Sequence, residues 1–71
     1  MPKIPAPAAG TVLRLEKSPG DAVAAGETIL VLLSERKTEM PLESPAGGRV
    51  REIRVKEGQA VAPGDVLAVV E

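Results

Sequence analysis

Cysteine, histidine, phenylalanine, tyrosine and tryptophan are all missing from this 71-residue chain. Without cysteine there is no disulfide, no thiol nucleophile and no thiolate metal site. Without histidine the commonest general base, the commonest metal ligand and the physiological-pH switch are lost together. Autonomous catalysis would have to rest on carboxylates, lysines and hydroxyls, so the composition argues against an enzyme. No aromatic ring is available for stacking bases. The nine basic residues are interspersed with ten acidic ones, for a net charge of −1. No basic block exists to neutralise a phosphate backbone, and nucleic-acid binding is not expected. Apolar runs such as Ile29 to Leu33 are far too short to span a bilayer. The N-terminus also lacks the charged-then-apolar layout of a signal peptide. The expectation is a cytoplasmic protein with no membrane association, monomeric as an isolated domain.

What the chain does contain is punctuation. Seven glycines and seven prolines interrupt it every several residues, which discourages any long helix. Between them lie short aliphatic runs. Thr11 to Glu16 and Val50 to Lys56 alternate apolar and charged residues in their later parts, the period of a half-buried strand. Ile29–Leu33 and Val66–Val70 are continuously apolar, as in strands covered on both faces. Ser18-Pro19-Gly20-Asp21, Ala24-Ala25-Gly26-Glu27, Lys56-Glu57-Gly58-Gln59 and Ala62-Pro63-Gly64-Asp65 read as turns, with glycine free to take positive φ. About eight short strands follow, packed as an all-β sandwich or barrel. Pro2 to Pro7 is expected to be loosely held. At this length the chain is one small domain, residues 1–71, near the lower limit for a fold stabilised by its core alone. That core must come from Val, Leu, Ile, Ala and Met40.

The punctuation repeats. A gapless offset of 38 residues matches Pro7/Pro45, Ala8/Ala46, Gly10/Gly48, Val12/Val50, Gly20/Gly58, Val23/Val61, Gly26/Gly64 and Val31/Val69. Two copies cannot supply the capping units of a solenoid. They read instead as half-domains, about 5–33 and 43–71, each needing the other to bury an apolar face, related by a pseudo-two-fold axis. The link between them, residues 34–42, is expected to form a hairpin remote from the chain termini. Its tip lies near Lys37, inside the polar run Glu35-Arg36-Lys37-Thr38-Glu39. A lysine in a polar hairpin is ordinarily a solvated charge, and Lys37 stands out only because it sits between the copies and belongs to neither. Glu39 and Glu43 read as surface charges, and Asp21, Glu27 and Asp65 are too scattered to suggest a metal site.

On these residues the chain resembles the biotinyl/lipoyl attachment domains, and among them the biotin carboxyl carrier proteins of acyl-CoA carboxylases. The likeness runs from about Ile4 to Glu71. Its elements are Ala6-Pro7-Ala8-Ala9-Gly10-Thr11-Val12, Gly20-Asp21-Ala22-Val23, Ser44-Pro45-Ala46-Gly47-Gly48-Arg49-Val50 and Gly64-Asp65-Val66-Leu67. The family's fold implies a flattened barrel of two four-stranded antiparallel sheets with quasi-two-fold symmetry, a barrel-sandwich hybrid. It also implies a modified lysine on an exposed hairpin between the halves, which would be Lys37. Biotinyl domains carry Glu-Ala/Ser-Met-Lys-Met-Glu there. This chain has Ser34-Glu35-Arg36-Lys37-Thr38-Glu39, with Arg36 and Thr38 in place of the two methionines, followed by Met40-Pro41. Lipoyl domains carry Asp-Lys-Ala instead, and the proline four residues after Lys37 favours the biotinyl subtype.

The resemblance implies a non-catalytic carrier with biotin attached covalently through Lys37. A biotin protein ligase would join the biotin carboxylate to the lysine amine. The tethered group would then serve a biotin carboxylase and a carboxyltransferase, its attachment making each encounter effectively intramolecular. Two alternatives stay open. One is a lipoyl carrier of a 2-oxo acid dehydrogenase-type complex, with lipoate on Lys37. The other is an unmodified scaffold module whose attachment segment has diverged, as Arg36 suggests.

Overall fold

The computed structural model describes residues 2–71; Met1, the first residue of the 1–71 domain expected from the sequence, lies outside the described residues. The described chain forms eight strands: β1 (Lys3–Pro5), β2 (Gly10–Leu15), β3 (Ala22–Val23), β4 (Thr28–Ser34), β5 (Glu39–Glu43), β6 (Gly48–Ile53), β7 (Ala60–Val61) and β8 (Val66–Val70). They make two four-stranded sheets, ordered β1-β8-β6-β3 and β5-β4-β2-β7, with every recorded pairing antiparallel. Exchanging β1 with β5, β2 with β6, β3 with β7 and β4 with β8 turns one order into the other. Adding 38 to the bounds of β2 and β3 reproduces β6 and β7.

The repeat extends to irregularities. The β2–β4 register slips between Val12 and Arg14, and the β6–β8 register slips between Val50 and Glu52, leaving Leu13 and Arg51 as bulge residues. Beside each bulge, the adjoining valine's backbone bonds the other half. Val12 donates to the Gln59 carbonyl at 2.9 Å and accepts from Gly58 at 2.7 Å; Val50 donates to Asp21 at 2.9 Å and accepts from Gly20 at 2.8 Å. The second pair of turns does the same, Gly26 donating to the Ser44 carbonyl and Gly64 to that of Ala6, both at 2.8 Å. In all four turns the fourth residue donates its N–H to the first residue's carbonyl, and its side chain accepts from the first residue's N–H. The third residue is glycine with positive φ, +87° at Gly58, as a type II turn requires. Each half therefore closes its turns locally and docks them on the other.

Close approach explains another matched pair. A Cβ on Gly10 would collide with the Leu33 carbonyl oxygen, and one on Gly48 with that of Glu71.

The core between the sheets is aliphatic. Val12, Ile29, Leu30, Leu32, Val50, Leu67 and Val70 are almost wholly buried, with Leu15, Met40 and Ile53 packed partly buried against them. Each fully buried chain of this kind contributes roughly 1.5–3 kcal/mol. Val31 and Val69 are also buried but lie outside this cluster.

Two expectations are corrected. Pro2 to Pro7 is not loosely held: Lys3–Pro5 is a strand paired with β8, and Ile4 and Ala6 are buried. The sheets are also not closed into the expected flattened barrel; the architecture is a sandwich. Closure would need the end strands of one sheet to form a ladder with those of the other. β3 and β7 have two residues each, while β1 and β5 carry Pro5 and Pro41, which have no N–H to donate.

Candidate functional site

β4 and β5 pair antiparallel from Thr28↔Glu43 to Leu33↔Glu39, and the chain reverses through Ser34 to Thr38. Ser34 closes that reversal with three hydrogen bonds. Its carbonyl accepts from the Lys37 N–H at 2.9 Å, and its N–H donates to the Thr38 carbonyl at 2.9 Å. Its Oγ accepts from the Thr38 N–H at 3.1 Å. The loop between these anchors is Glu35-Arg36-Lys37, all exposed.

A three-residue hairpin loop of this kind is a β-turn followed by one left-handed residue, a position suited to glycine. Here Lys37 fills it, at φ +65°, the only non-glycine residue with positive φ among the described residues. A side chain in that region costs roughly 1–2 kcal/mol. The lysine therefore stands at the apex in a conformation that its own Cβ disfavours. Among the described residues no hydrogen bond or ion pair holds its ammonium group.

Two open grooves flank the hairpin. Lys37 lines one of about 390 Å³, with Ala9, Gly10, Leu33, Ala60 and Val61 along it. Arg36 lines another of about 260 Å³, with Ala8, Ala9, Ser34 and Glu35. The neighbouring cations thus sit over different grooves. The Val70 N–H donates to the Pro2 carbonyl at 2.9 Å, so the two ends of the described chain lie together. From there β1 leads to Pro7–Ala9, beside the hairpin.

An exposed primary amine on a hydrogen-bonded apex can be acylated without disturbing the fold, and the described residues offer no competing partner for it. The grooves leave space beside the amine for an attached group. Ser34, which holds the apex, was not singled out in the sequence; serine at the first position of a β-turn was the available signal. The left-handed lysine had no such signal. Glu39 is exposed and 3.7 Å from Arg14, Glu43 is exposed, and Met40 supports the core from β5. Asp21, Glu27 and Asp65 cap their own turns. Lys17 Nζ lies 2.7 Å from Glu27 Oε2. Hydrogen bonding to Lys17, then to the Ala24 N–H, holds the Glu27 carboxyl below its ordinary 4.5, and the Glu27 bond holds Lys17 above 10.5. No helix of the described residues is long and apolar enough to cross a membrane.

Residues 2–70 match the biotin/lipoyl family, described as biotin-requiring enzymes. No curated protein sequence matches the chain. Among solved structures it is similar to the urea carboxylase of Kluyveromyces lactis, with 28% identity and a TM-score of 0.92 over 99% of this chain. It is similar to a single-chain, multi-domain long-chain acyl-CoA carboxylase, with 31% identity and a TM-score of 0.84 over 94% of this chain. The chain spans only 6% of the length of each of these carboxylases. The lipoyl domain of the 2-oxoglutarate dehydrogenase complex from Azotobacter vinelandii aligns at 30% identity and a TM-score of 0.78, covering 96% of this chain and 95% of that domain.

Proposed function

Because this chain belongs to the biotinyl/lipoyl attachment domain family, we propose that it is a biotin carrier whose Lys37 takes the prosthetic group. The observation that carries this reading is the apex itself: an exposed lysine, without a side-chain partner among the described residues, kept in a left-handed conformation that glycine would satisfy better. Backbone outliers held by surrounding bonds are grounds for a functional hypothesis. Attached biotin would supply a ring nitrogen able to carry a carboxyl group. The chain's own contribution is positional. Ser34 holds the hairpin shut, Lys37 presents its amine to solvent, and the sandwich behind it remains fixed while partners engage the tip.

The partners in this reading are a biotin protein ligase, a biotin carboxylase and a carboxyltransferase, acting in the cytoplasm in an acyl-CoA carboxylase-type system. The chain is the carrier and leaves bond making to them. Pro41 and the similarity to two carboxylases support biotin over lipoate. The near full-length match to a lipoyl domain supports lipoate as the second reading. Arg36, which lines the groove on the other flank, leaves the Lys37 side open.

Incubation with a biotin ligase or a lipoate ligase, followed by intact mass measurement, separates these readings. The expected result is one biotinyl adduct, absent in Lys37→Arg. A lipoyl adduct alone would establish the second reading. With folded protein and active ligases, no adduct on either arm would defeat both and leave an unmodified scaffold; rescue by Arg36→Met would then trace the loss to that position.

A further inference from the structure

The two sheets share one architecture but present different outer faces. On the β1-β8-β6-β3 sheet, Lys3, Arg51, Glu52 and Arg54 surround Val69 in an open groove of about 320 Å³. Register places Lys3 and Glu52 on either side of Val69. Three cations therefore meet one anion, and that anion, Glu52, is 2.7 Å from Arg54.

The internal repeat supplies a control for what the fold itself requires. Shifted by 38 residues, Lys3 corresponds to Pro41, Arg51 to Leu13, Glu52 to Arg14, Arg54 to Glu16 and Val69 to Val31. The ion pair recurs with its polarity reversed, Arg14 Nε lying 3.3 Å from Glu16 Oε2. At the remaining two positions the second face has Pro41 and Leu13, which is 38% exposed. The same backbone positions thus accept a proline and a leucine. The other half builds the same strands without a cation at either position, and the charges of Lys3 and Arg51 concentrate on one face of a chain whose net charge is −1.

We propose that this groove docks an acidic protein segment, rich in aspartate and glutamate, belonging to a partner of the domain. Charge complementarity selects the occupant, and Val69 with the aliphatic stems of the surrounding side chains gives it an apolar floor. The Lys37 hairpin belongs to the other sheet, so a partner held here leaves the hairpin tip accessible. The inference stands on the charge pattern and is independent of whether Lys37 is modified.

The test uses the unmodified full chain, isotopically labelled, titrated with a synthetic oligoglutamate peptide at low salt. Amide shifts should centre on Lys3, Arg51, Glu52, Arg54 and Val69 and collapse at high salt. Lys3→Gln with Arg51→Leu, the latter taking the residue found at the mirrored position, should weaken binding roughly tenfold while preserving the spectrum elsewhere. Shifts centred on Arg36 and Lys37, no shifts at all, or unchanged affinity in the double variant would overturn the proposal. So would an oligouridylate that produces the same shifts where oligoglutamate produces none. Should the double variant not fold, the footprint and salt dependence of the unsubstituted chain still decide.

Discussion

Replacing Lys37 with glycine removes the side chain from a position where the backbone is left-handed, at φ +65°. Relief of the Cβ conflict is worth roughly 1–2 kcal/mol. Glycine also loosens the unfolded chain, which offsets roughly 0.4–1 kcal/mol of that. Lys37 makes no side-chain bond among the described residues, so nothing else is lost. The net expectation is a gain of about 0.5–1 kcal/mol, or a rise in Tm of about 3–6 °C for a domain of this size. Lys37→Ala keeps a Cβ in the strained position and should stay within about 0.5 kcal/mol of the unsubstituted chain. With no tyrosine or tryptophan, calorimetry or far-UV circular dichroism must follow the transition. A glycine variant no more stable than the alanine variant would refute the strain and, with it, the structural support for Lys37.

Ser34→Ala deletes the hydroxyl acceptor for the Thr38 N–H and should cost about 0.5–1.5 kcal/mol. Amide exchange at Thr38 should accelerate, and Ser34→Thr should restore protection. Glu27→Gln should flatten the pH dependence of stability at both extremes, followed by denaturant titration. A depressed Glu27 stabilises above its ordinary 4.5 and loses that contribution as pH falls through its lower folded value. A raised Lys17 stabilises below 10.5 and loses its contribution as pH rises through its higher folded value. Leu67→Ala empties part of a fully buried site, a loss of about 2–5 kcal/mol. In a domain this small that is comparable with the total stability, so its amide spectrum should collapse toward that of an unfolded chain. Gly48→Ala should destabilise at least as much as Gly10→Ala in thermal melts, because its Cβ would meet the Glu71 carbonyl oxygen more closely than a Gly10 Cβ meets that of Leu33, and the Glu71 backbone is held by two hydrogen bonds to Arg49.

The all-β character and its aliphatic core were legible because glycine, proline and valine carry local information. Gly20 and Gly58 mark turns that only glycine enters readily, and Ile29–Leu33 and Val66–Val70 announce strands covered on both faces. The family resemblance was legible for the same reason, since its motifs are largely these turn residues. Barrel against sandwich was not, because closure depends on the two-residue length of β3 and β7 and on how the edges meet. β1 was hidden by flanking prolines that suggested a loose segment, although Ile4 is buried against the core. At the candidate site, the position of Lys37 could be read from the repeat. Its left-handed backbone could not, because lysine has no preference for that conformation. Ser34 carried only the general preference of serine for the first turn position; its three bonds exist only once β4 and β5 are paired. The cationic groove escaped notice because Lys3 is distant in sequence from Arg51 and Arg54, and only the β1–β8–β6 order brings them together.

The mass of the chain isolated from the cells that make it, with fragmentation of the peptide spanning Ser34 to Pro41, tests the proposed function most directly. The expected result is a single biotinyl group in amide linkage on the Lys37 amine. A lipoyl group on Lys37, or a chain that remains wholly unmodified beside an active ligase, would contradict it.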